Sequence, residues 1–329
     1  MFYATSYPLA VALCVVTMFC WGSWGNTQKL AGDKWPYKLF YWDYVLGMVL
    51  FALVWGLTAG STKGGDWSFV ASLKAASTGN LGLAFLSGVV FNAANILLVV
   101  AISMVGLSIA FPVGCGLSLV LGTVFNYLVD PKGSPGFLFT GLALLAGAIV
   151  LSTLAGKRKE AAAGAKSEAA PKSNGKGVLV SLACGVLMAC FYPLLARTLS
   201  GDFAAAAPEA GKLTPYSGFF VFSLGVLAST FGFNFVSPAR YCRGGHLHLA
   251  GLLGGAIWAL GTGINFVAAG AAGAAIAFGL GQGATLVAAL WGILVWREFK
   301  GAPRACALLN ALMIVTFVAG LGLLVKAGG

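Results

Sequence analysis

Ile109-Ala-Phe-Pro-Val-Gly-Cys-Gly-Leu-Ser-Leu-Val120 is repeated 167 residues later as Ile276-Ala-Phe-Gly-Leu-Gly-Gln-Gly-Ala-Thr-Leu-Val287. Both copies share the frame Ile-Ala-Phe-x-x-Gly-x-Gly-x-x-Leu-Val, with seven identities in twelve positions. Each copy also runs into a similar exit, Lys132-Gly-Ser-Pro135 in the first and Lys300-Gly-Ala-Pro303 in the second. Self-similarity at one long, fixed spacing indicates that a single structural unit is present twice.

The composition assigns the chain to the membrane. Of its 329 residues, 59% are hydrophobic and only 9% are charged, and the mean hydropathy is +0.90. A soluble core cannot bury that much apolar surface. The longest uncharged runs cover 55 residues (75–129) and 48 residues (249–296), whereas a membrane-spanning helix needs about 20. Each run is therefore expected to form two helices, which gives ten spans in the whole chain.

The ten spans divide into two halves around one polar segment. Residues 156–176 are rich in Ala, Lys, Glu, Ser and Pro and are predicted to be a flexible linker between a first five-helix repeat (1–155) and a second (177–329). The second half restarts like the first, because Cys14-x-Val-x-Met-x-Cys20 returns at a spacing of 170 as Cys184-x-Val-x-Met-x-Cys190. Since five spans per half turn the second half upside down, we predict an all-α membrane protein of ten transmembrane helices in two inverted five-helix repeats.

The net charge of +11 is interpreted as a topology signal, because most basic residues lie in short loops beside spans; no nucleic-acid partner is expected. Fourteen Lys and Arg lie on the side of the linker, against six on the side of both termini. Without the linker the difference shrinks to eight against six. The positive-inside rule predicts a cytoplasmic linker and both termini outside, in a multi-pass protein of the plasma membrane, expected to be a bacterial inner membrane.

The sequence contains no constellation typical of catalysis, cofactor binding or metal binding. The motifs H-E-x-x-H and G-x-S-x-G are absent, and the two histidines, 246 and 248, are expected in one loop. The seven cysteines lack a C-x-x-C pair and are interpreted as small core residues. We expect a non-enzyme without cofactor or metal, as a monomer or homodimer, whose partners are membrane lipid, a small molecule and protons.

The repeated stretch also bears on where a ligand binds. Pro112, Gly114 and Gly116 fall in successive turns of the fourth span, so this helix is expected to be kinked or broken, as is its glycine-rich copy in the ninth span. Broken helices at matching positions of inverted repeats are typical of a binding site at the membrane midplane. Alternatively, Gly and Ala allow close helix packing, as small residues do in any membrane bundle. The sequence leaves both interpretations open.

Spans 1, 3 and 4 should face spans 6, 8 and 9 across the expected pseudo-two-fold axis. Aromatic faces stack on sugar rings or planar ureides, and amides and hydroxyls supply donors and acceptors without fixed charge. A small, neutral, polar metabolite is therefore the predicted substrate. Each amide has the alternative of a helix–helix hydrogen bond, which we favour for Asn92. The candidate substrate-binding residues are Trp21, Trp24, Asn95, Tyr192, Trp258, Thr262, Asn265 and Gln282.

Asp43 is the only acidic residue expected inside a span, in the second predicted helix (39–60). An intramembrane carboxylate is expensive to keep ionised, so it is a candidate for loading and releasing a coupling proton. The alternative is that Asp43 is wet at the membrane interface and pairs with Lys38 or Lys34. The sequence does not decide between these roles.

The order and spacing of these motifs resemble the drug/metabolite transporter superfamily, in its glucose and rhamnose porter branch, and most of all the ureide permeases. The resemblance is carried by Trp24, residues 41–44 (Tyr-Trp-Asp-Tyr), Asn95 and Gln282, followed by Trp291-Gly292. It implies proton-coupled uptake of a sugar or of a ureide or purine breakdown product by alternating access. An exporter or facilitator of the same superfamily, a passive channel, and a membrane-embedded enzyme or scaffold are the alternatives.

The sequence departs from the ureide permease pattern where substrate choice is expected to be set. Ureide permeases have Asn and Gln where this chain has Thr262 and Asn265, and its ninth span is richer in glycine. The resemblance thus leaves open whether the substrate is a sugar or a ureide.

Overall fold

The structure of the chain, a computed structural model, describes residues 2–62, 68–105, 107–162, 175–201 and 209–329. Nearly all regular structure in these residues is helical, and an isolated bridge joins Leu199 to Leu213. The helices are α1 (Tyr7–Ser23), α2 (Gly25–Ala31), α3 (Tyr37–Leu57), α4 (Phe69–Ala75), α5 (Thr78–Val105), α6 (Leu107–Val129), α7 (Pro135–Ala162), α8 (Gly175–Ala196), α9 (Pro215–Phe233), α10 (Pro238–Tyr241), α11 (Leu247–Ala272), α12 (Ala274–Gly281), α13 (Ala284–Leu290) and α14 (Arg304–Gly328), with a 3-10 turn at Gly32–Lys34 and a π-helical turn at Trp291–Val295.

Nine helical segments of the described chain are long and apolar enough to cross a membrane. The pair α1–α2 forms one of them (Tyr7–Ala31), and α12, α13 and the π-helical turn form another (Ala274–Val295). The remaining predicted span, the fourth, corresponds to α6 (Leu107–Val129). The prediction of an all-α, multi-pass membrane protein is confirmed.

The predicted linker (156–176) is partly helical. Helix α7 continues to Ala162, beyond the predicted end at 155, and α8 begins at Gly175. Lys, Arg, Glu and Ala at 157–162 are strong helix formers, so the polar segment extends the helix instead of ending it. The rest of the predicted linker, 163–174, lies outside the described residues.

The expected pair of broken helices occurs in the second half only. Helix α6 runs unbroken through Pro112, which stands near its amino end and removes only one backbone hydrogen bond there. In the second copy the chain leaves the helix at Gln282–Gly283, between α12 and α13. A side chain at Gly283 would meet the Met18 methyl carbon at 2.6 Å, so the glycine serves close packing against α1. The first span is also interrupted, at Trp24 between α1 and α2.

Helix α3 of the first half packs on α11 of the second half through reciprocal glycine contacts. A Cβ atom at Gly47 would lie 2.2 Å from the Leu252 carbonyl oxygen, and one at Gly255 would lie 1.9 Å from the Tyr44 carbonyl oxygen. No side chain larger than hydrogen fits at either position. The two backbones therefore touch directly, as small residues allow in membrane bundles.

The same arrangement joins α5 of the first half to α9 of the second. A Cβ atom at Gly88 would lie 2.0 Å from the Phe222 carbonyl oxygen, and one at Gly225 would lie 2.1 Å from the Phe85 carbonyl oxygen. Gly88 and Gly255 stand 167 residues apart, the spacing of the sequence repeat. Other neighbours recur in the same way, since α1 packs on α11 and α8 packs on α5, while α7 packs on α14.

Replacing Gly88 with Ala is expected to destabilise the protein by about 1–3 kcal/mol, because the added methyl group overpacks the contact between α5 and α9. Gly82→Ala is the matched control on the same helix, since nothing lies within 4 Å of a Cβ atom at that position. It should leave the melting temperature unchanged or raise it slightly. Thermal unfolding of both purified variants in detergent tests the contact, and equal melting temperatures would contradict it.

Candidate functional site

Two aromatic rings, one from each half, meet at the centre of the bundle. Phe91 of α5 and Trp258 of α11 have ring centroids 4.8 Å apart. Phe91 has two further aromatic neighbours at 5.0–5.4 Å, Phe191 and Phe222, and Trp258 has four at 6.1–6.4 Å, which are Trp21, Tyr44, Phe219 and Phe222. Trp258 and Phe91 are also 167 residues apart. The centre is therefore an aromatic cluster built from equivalent positions.

Three predicted site residues, Trp21 of the first half and Trp258 and Thr262 of the second, lie together in this cluster. The Trp21 indole N–H donates to the Thr262 hydroxyl at 2.9 Å, and that hydroxyl donates to the Trp258 carbonyl at 2.9 Å. Trp24 packs beside Tyr44, with ring centroids 4.9 Å apart. The aromatic faces of the predicted site thus converge, with the polar atoms of Trp21 and Thr262 bonded to each other.

Tyr192 and Asn265 form a second, fully bonded group. The Tyr192 hydroxyl donates to Asn265 Oδ1 at 2.6 Å, and Asn265 Nδ2 donates to the Ala277 carbonyl at 2.9 Å. The Tyr192 ring stacks on Phe266 at 4.5 Å. Both Tyr192 and Asn265 are completely buried. In this conformation the pair ties α8, α11 and α12 together.

Asn95 and Gln282 are the predicted amides that keep free hydrogen-bonding groups. Asn95 is half-buried, and its Nδ2 donates only to the Phe91 carbonyl within its own helix, at 3.2 Å. Gln282 is half-buried at the interruption between α12 and α13, and its carboxamide bonds to no described residue. Asn92, in contrast, accepts from the Tyr41 hydroxyl at 2.7 Å and donates to α9, as a helix–helix residue should.

A cavity of about 830 Å³ opens at the end of the bundle where α1 begins and α14 ends, called here the terminal side. Phe266 forms its apolar lining nearest to the Tyr192–Asn265 pair. Charged residues line it too, among them Lys132, Arg197 and Glu209. Glu209 accepts from the Gly201 backbone N–H at 2.6 Å, which fixes part of the rim. None of the predicted site residues is among the described residues that line this cavity.

The opposite end, where α7 ends and α8 begins, is called the linker side. There the first span (α1 and α2) is bonded to the residues that follow the predicted ninth span (α12, α13 and the π-helical turn). The Trp296 indole N–H donates to Asn26 Oδ1 at 2.6 Å. Lys29 Nζ lies 2.7 Å from Glu298 Oε1 and 4.8 Å from the centroid of the Trp296 ring. These contacts are solvent-exposed, so each is worth no more than about 1 kcal/mol. They close the linker side but can be broken at a small cost in free energy.

Asp43 lies near the linker side in a closed polar pocket. Its carboxylate is 1% exposed and accepts from the Trp35 indole N–H at 2.7 Å and the Tyr241 hydroxyl at 2.5 Å. His248 Nδ1 lies 2.8 Å from Asp43 Oδ1. The alternative of a wet Asp43 paired with Lys38 or Lys34 is therefore wrong: the carboxylate is buried, and the basic side chain beside it is His248.

His248, which was predicted to lie in a loop, belongs to the first turn of α11. Gly251 allows α11 to approach Asp43, because a Cβ atom there would lie 2.4 Å from the Asp43 Cβ. Trp35, Tyr241 and His248 are not predicted as partners of Asp43 from the sequence. The presence of only two histidines, both close to the start of an apolar run, was the available signal.

The cysteines are free, and most are buried or half-buried as expected. Cys242 is the exception: it is exposed, because it follows the short helix α10 at the linker side. The described residues contain no group of three or more His, Cys, Asp or Glu side chains that could hold a metal ion.

Comparison with known proteins gives consistent results. The profile of a family described as sugar transport protein matches residues 12–325. Ureide permease 1 of Arabidopsis thaliana is 22% identical, with 97% of both chains covered. Ureide permease 4 of the same organism is 23% identical, covering 100% of this chain and 99% of its own. A solved crystal structure described only as that of a protein has a TM-score of 0.57 at 16% identity, covering 94% of this chain and 95% of its own, which shows a shared fold alone.

The two kinds of amide should respond differently to substitution. Asn265→Leu removes both hydrogen bonds and leaves the buried Tyr192 hydroxyl without a partner, which costs about 1–3 kcal/mol. Gln282→Ala removes no bond to a described residue and should leave the melting temperature close to that of the wild type. Thermal unfolding of the two variants measures the difference. A Gln282→Ala protein that melts as low as Asn265→Leu would show that Gln282 is structural.

Proposed function

The chain belongs to the sugar transport protein family, and on that basis we propose that it is a secondary active transporter for proton-coupled uptake of a small, neutral, polar metabolite. Because the family and the similar relatives are transporters, the chain is a transporter of small metabolites and not an enzyme. We place the family in the drug/metabolite transporter superfamily, in the glucose and rhamnose porter branch. The observation that carries the proposal is a difference between equivalent positions of the two halves.

Residues that line the open cavity have counterparts that close the other side. Val129 and Ala196 line the cavity at the terminal side. Their counterparts at the repeat spacings of 167 and 170 are Trp296 and Asn26, which hydrogen-bond to each other at the linker side. Inverted repeats that adopt two different conformations are the basis of alternating access. The proposed cycle exchanges the two conformations between the halves.

The packing of the first helix of each half supports this exchange. Leu117 of α6 packs on Gly185 of α8, with its Cβ 3.0 Å from a Cβ placed there. The counterparts are Ala284 and Val15, but Val15 is 41% exposed. The Ala284 carbonyl oxygen lies 2.6 Å from a Cβ placed at Gly22, more than a helical turn further along α1. The interface between α6 and α8 and its counterpart between α13 and α1 thus differ by a shift along the helix axis. Such a shift is expected if the ten spans form two inverted repeats that adopt different conformations.

The substrate class follows from the aromatic and amide side chains. Trp21, Trp24 and Trp258 offer flat faces for a sugar ring or a planar ureide, and the free groups of Asn95 and Gln282 supply uncharged donors and acceptors. Thr262 would join the site when its bond with Trp21 breaks, and Tyr192 and Asn265 would join it when their bond to each other breaks. The similar relatives are named ureide permeases, which supports a ureide, and the family name supports a sugar.

The orientation in the membrane is proposed from charge. The excess of Lys and Arg on the linker side places that side in the cytoplasm and both termini outside, and the membrane is proposed to be a bacterial inner membrane. The open cavity then faces outward, as uptake requires. The exposed Cys242 is first replaced by Ser. Labelling of a cysteine introduced at Gly329 by a membrane-impermeant reagent in intact cells would then support this orientation, and protection would contradict it.

Asp43 is our candidate for proton coupling, because it is a buried carboxylate inside a span. Purified protein in liposomes, offered labelled monosaccharides, allantoin and uracil, should accumulate one of these ligands when a pH gradient is applied. Asp43→Asn should abolish this accumulation, while counterflow exchange of the same ligand continues. Asp130→Asn is the control, since that carboxylate is solvent-accessible and pairs with Lys132. Uphill uptake by Asp43→Asn at the wild-type rate would exclude the coupling role.

A further inference from the structure

The buried Asp43 carboxylate has no direct access to water, yet a coupling proton has to enter and leave it. Trp35 and Tyr241 cover it as donors. Burial first, and then the hydrogen bond to Asp43, raise the pKa of Tyr241, so its phenol keeps its proton and remains a donor. The indole N–H does not titrate. Neither neighbour can therefore carry a proton away from Asp43.

His248 is the neighbour that can. Its Nδ1 lies 2.8 Å from Asp43 Oδ1, and its side chain is 23% exposed, against 1% for Asp43. Histidine changes its charge between about pH 5 and pH 8 and can exchange protons through both ring nitrogens. The imidazole thus connects the buried carboxylate to water at the linker side.

Gly244 packs against the far edge of this ring. A Cβ atom at Gly244 would lie 2.5 Å from His248 Nε2, 2.8 Å from its Cε1 and 2.5 Å from Trp35 Cη2. The imidazole makes T-shaped contacts with two aromatic rings, with centroid distances of 4.9 Å to Trp35 and 4.7 Å to Tyr241. These contacts hold the imidazole in place. The orientation that aims Nδ1 at Asp43 therefore leaves Nε2 beside a residue without a side chain.

No other described charged group contacts the pair. Asp43 has a single ion-pair partner among the described residues, His248, and the remaining titratable neighbour is Tyr241. The cationic and imidazole side chains nearest in sequence are exposed at the linker side: Lys34, Lys38, Arg240, Arg243 and His246.

We propose that His248 relays the coupling proton between Asp43 and water at the linker side. The relay serves exchange with the cytoplasm, namely release of the proton during uptake and loading when transport runs in reverse, and the two directions use the same atoms in opposite order. For loading, water at the linker side gives a proton to Nε2 while the Nδ1 proton passes to Asp43 Oδ1, which leaves a neutral carboxyl and a neutral imidazole protonated at Nε2. For release, the Asp43 proton returns to Nδ1 and the Nε2 proton leaves to water. The relay rests on the proposed coupling role of Asp43.

Two substitutions test the relay from different directions. His248→Gln preserves a hydrogen-bonding amide but cannot relay a proton, and Gly244→Ala keeps the imidazole but adds a methyl group beside Nε2. Both should slow pH-driven accumulation by about tenfold or more, an effect at the low end of those known for positioned acid–base groups. Counterflow exchange should be unchanged. His246→Gln, which removes the other, exposed histidine of the chain, is the control and should behave as the wild type.

The outcomes separate the relay from the coupling role. If Asp43→Asn loses accumulation while His248→Gln and Gly244→Ala keep the wild-type rate, Asp43 couples without the relay. If Asp43→Asn itself accumulates ligand normally, the coupling proposal has failed first.

Magnetic resonance gives a readout that does not depend on transport. In His246→Gln protein labelled with ¹⁵N-histidine, the remaining signals belong to His248 alone. Asp43→Asn should alter their tautomer pattern, because it replaces the carboxylate beside Nδ1. Signals that are insensitive to Asp43→Asn would overturn the relay.

Discussion

Four glycines at two helix crossings set the geometry of the bundle. In a membrane the lipid is as apolar as the side chains, so helices associate through close van der Waals packing. Gly47, Gly255, Gly88 and Gly225 each bring a helix of one half against the backbone of a helix of the other. The aromatic rings of Phe91 and Trp258 meet between these contacts because the backbones around them are held so close.

Within this shared frame the two halves differ. Near the linker side the first and ninth spans touch from Gly22 as far as Glu298, whereas near the terminal side α6 and α8 separate around the cavity. The tight central crossings and the weak exposed bonds at the linker side have complementary effects. The centre keeps the halves together, while the ends are held by contacts that cost little to break.

Parts of this arrangement could be predicted from the sequence, and others could not. The apolar runs predict the spans, and the repeat predicts which helices are equivalent, because hydrophobicity and spacing are local properties of a chain. The contact between Trp21 and Thr262 could also be predicted, because the repeat places the first span opposite the eighth. The continuity of α6 through Pro112 and the burial of Asp43 were not, since both depend on position within a helix and on tertiary neighbours. His248 and Tyr241 are about 200 residues from Asp43 in sequence, and no local pattern joins them.

The claim that the halves exchange conformations can be measured as two distances in one protein. Spin labels at Lys132 and Lys212 span the cavity at the terminal side, and labels at the exposed residues Leu30 and Lys300 span the closed linker side. Cys242, which is exposed, is replaced by Ser. When a transported ligand is added, we expect a population in which the first distance is shorter and the second is longer. Two distances that stay fixed during transport, or that lengthen together, would contradict the exchange.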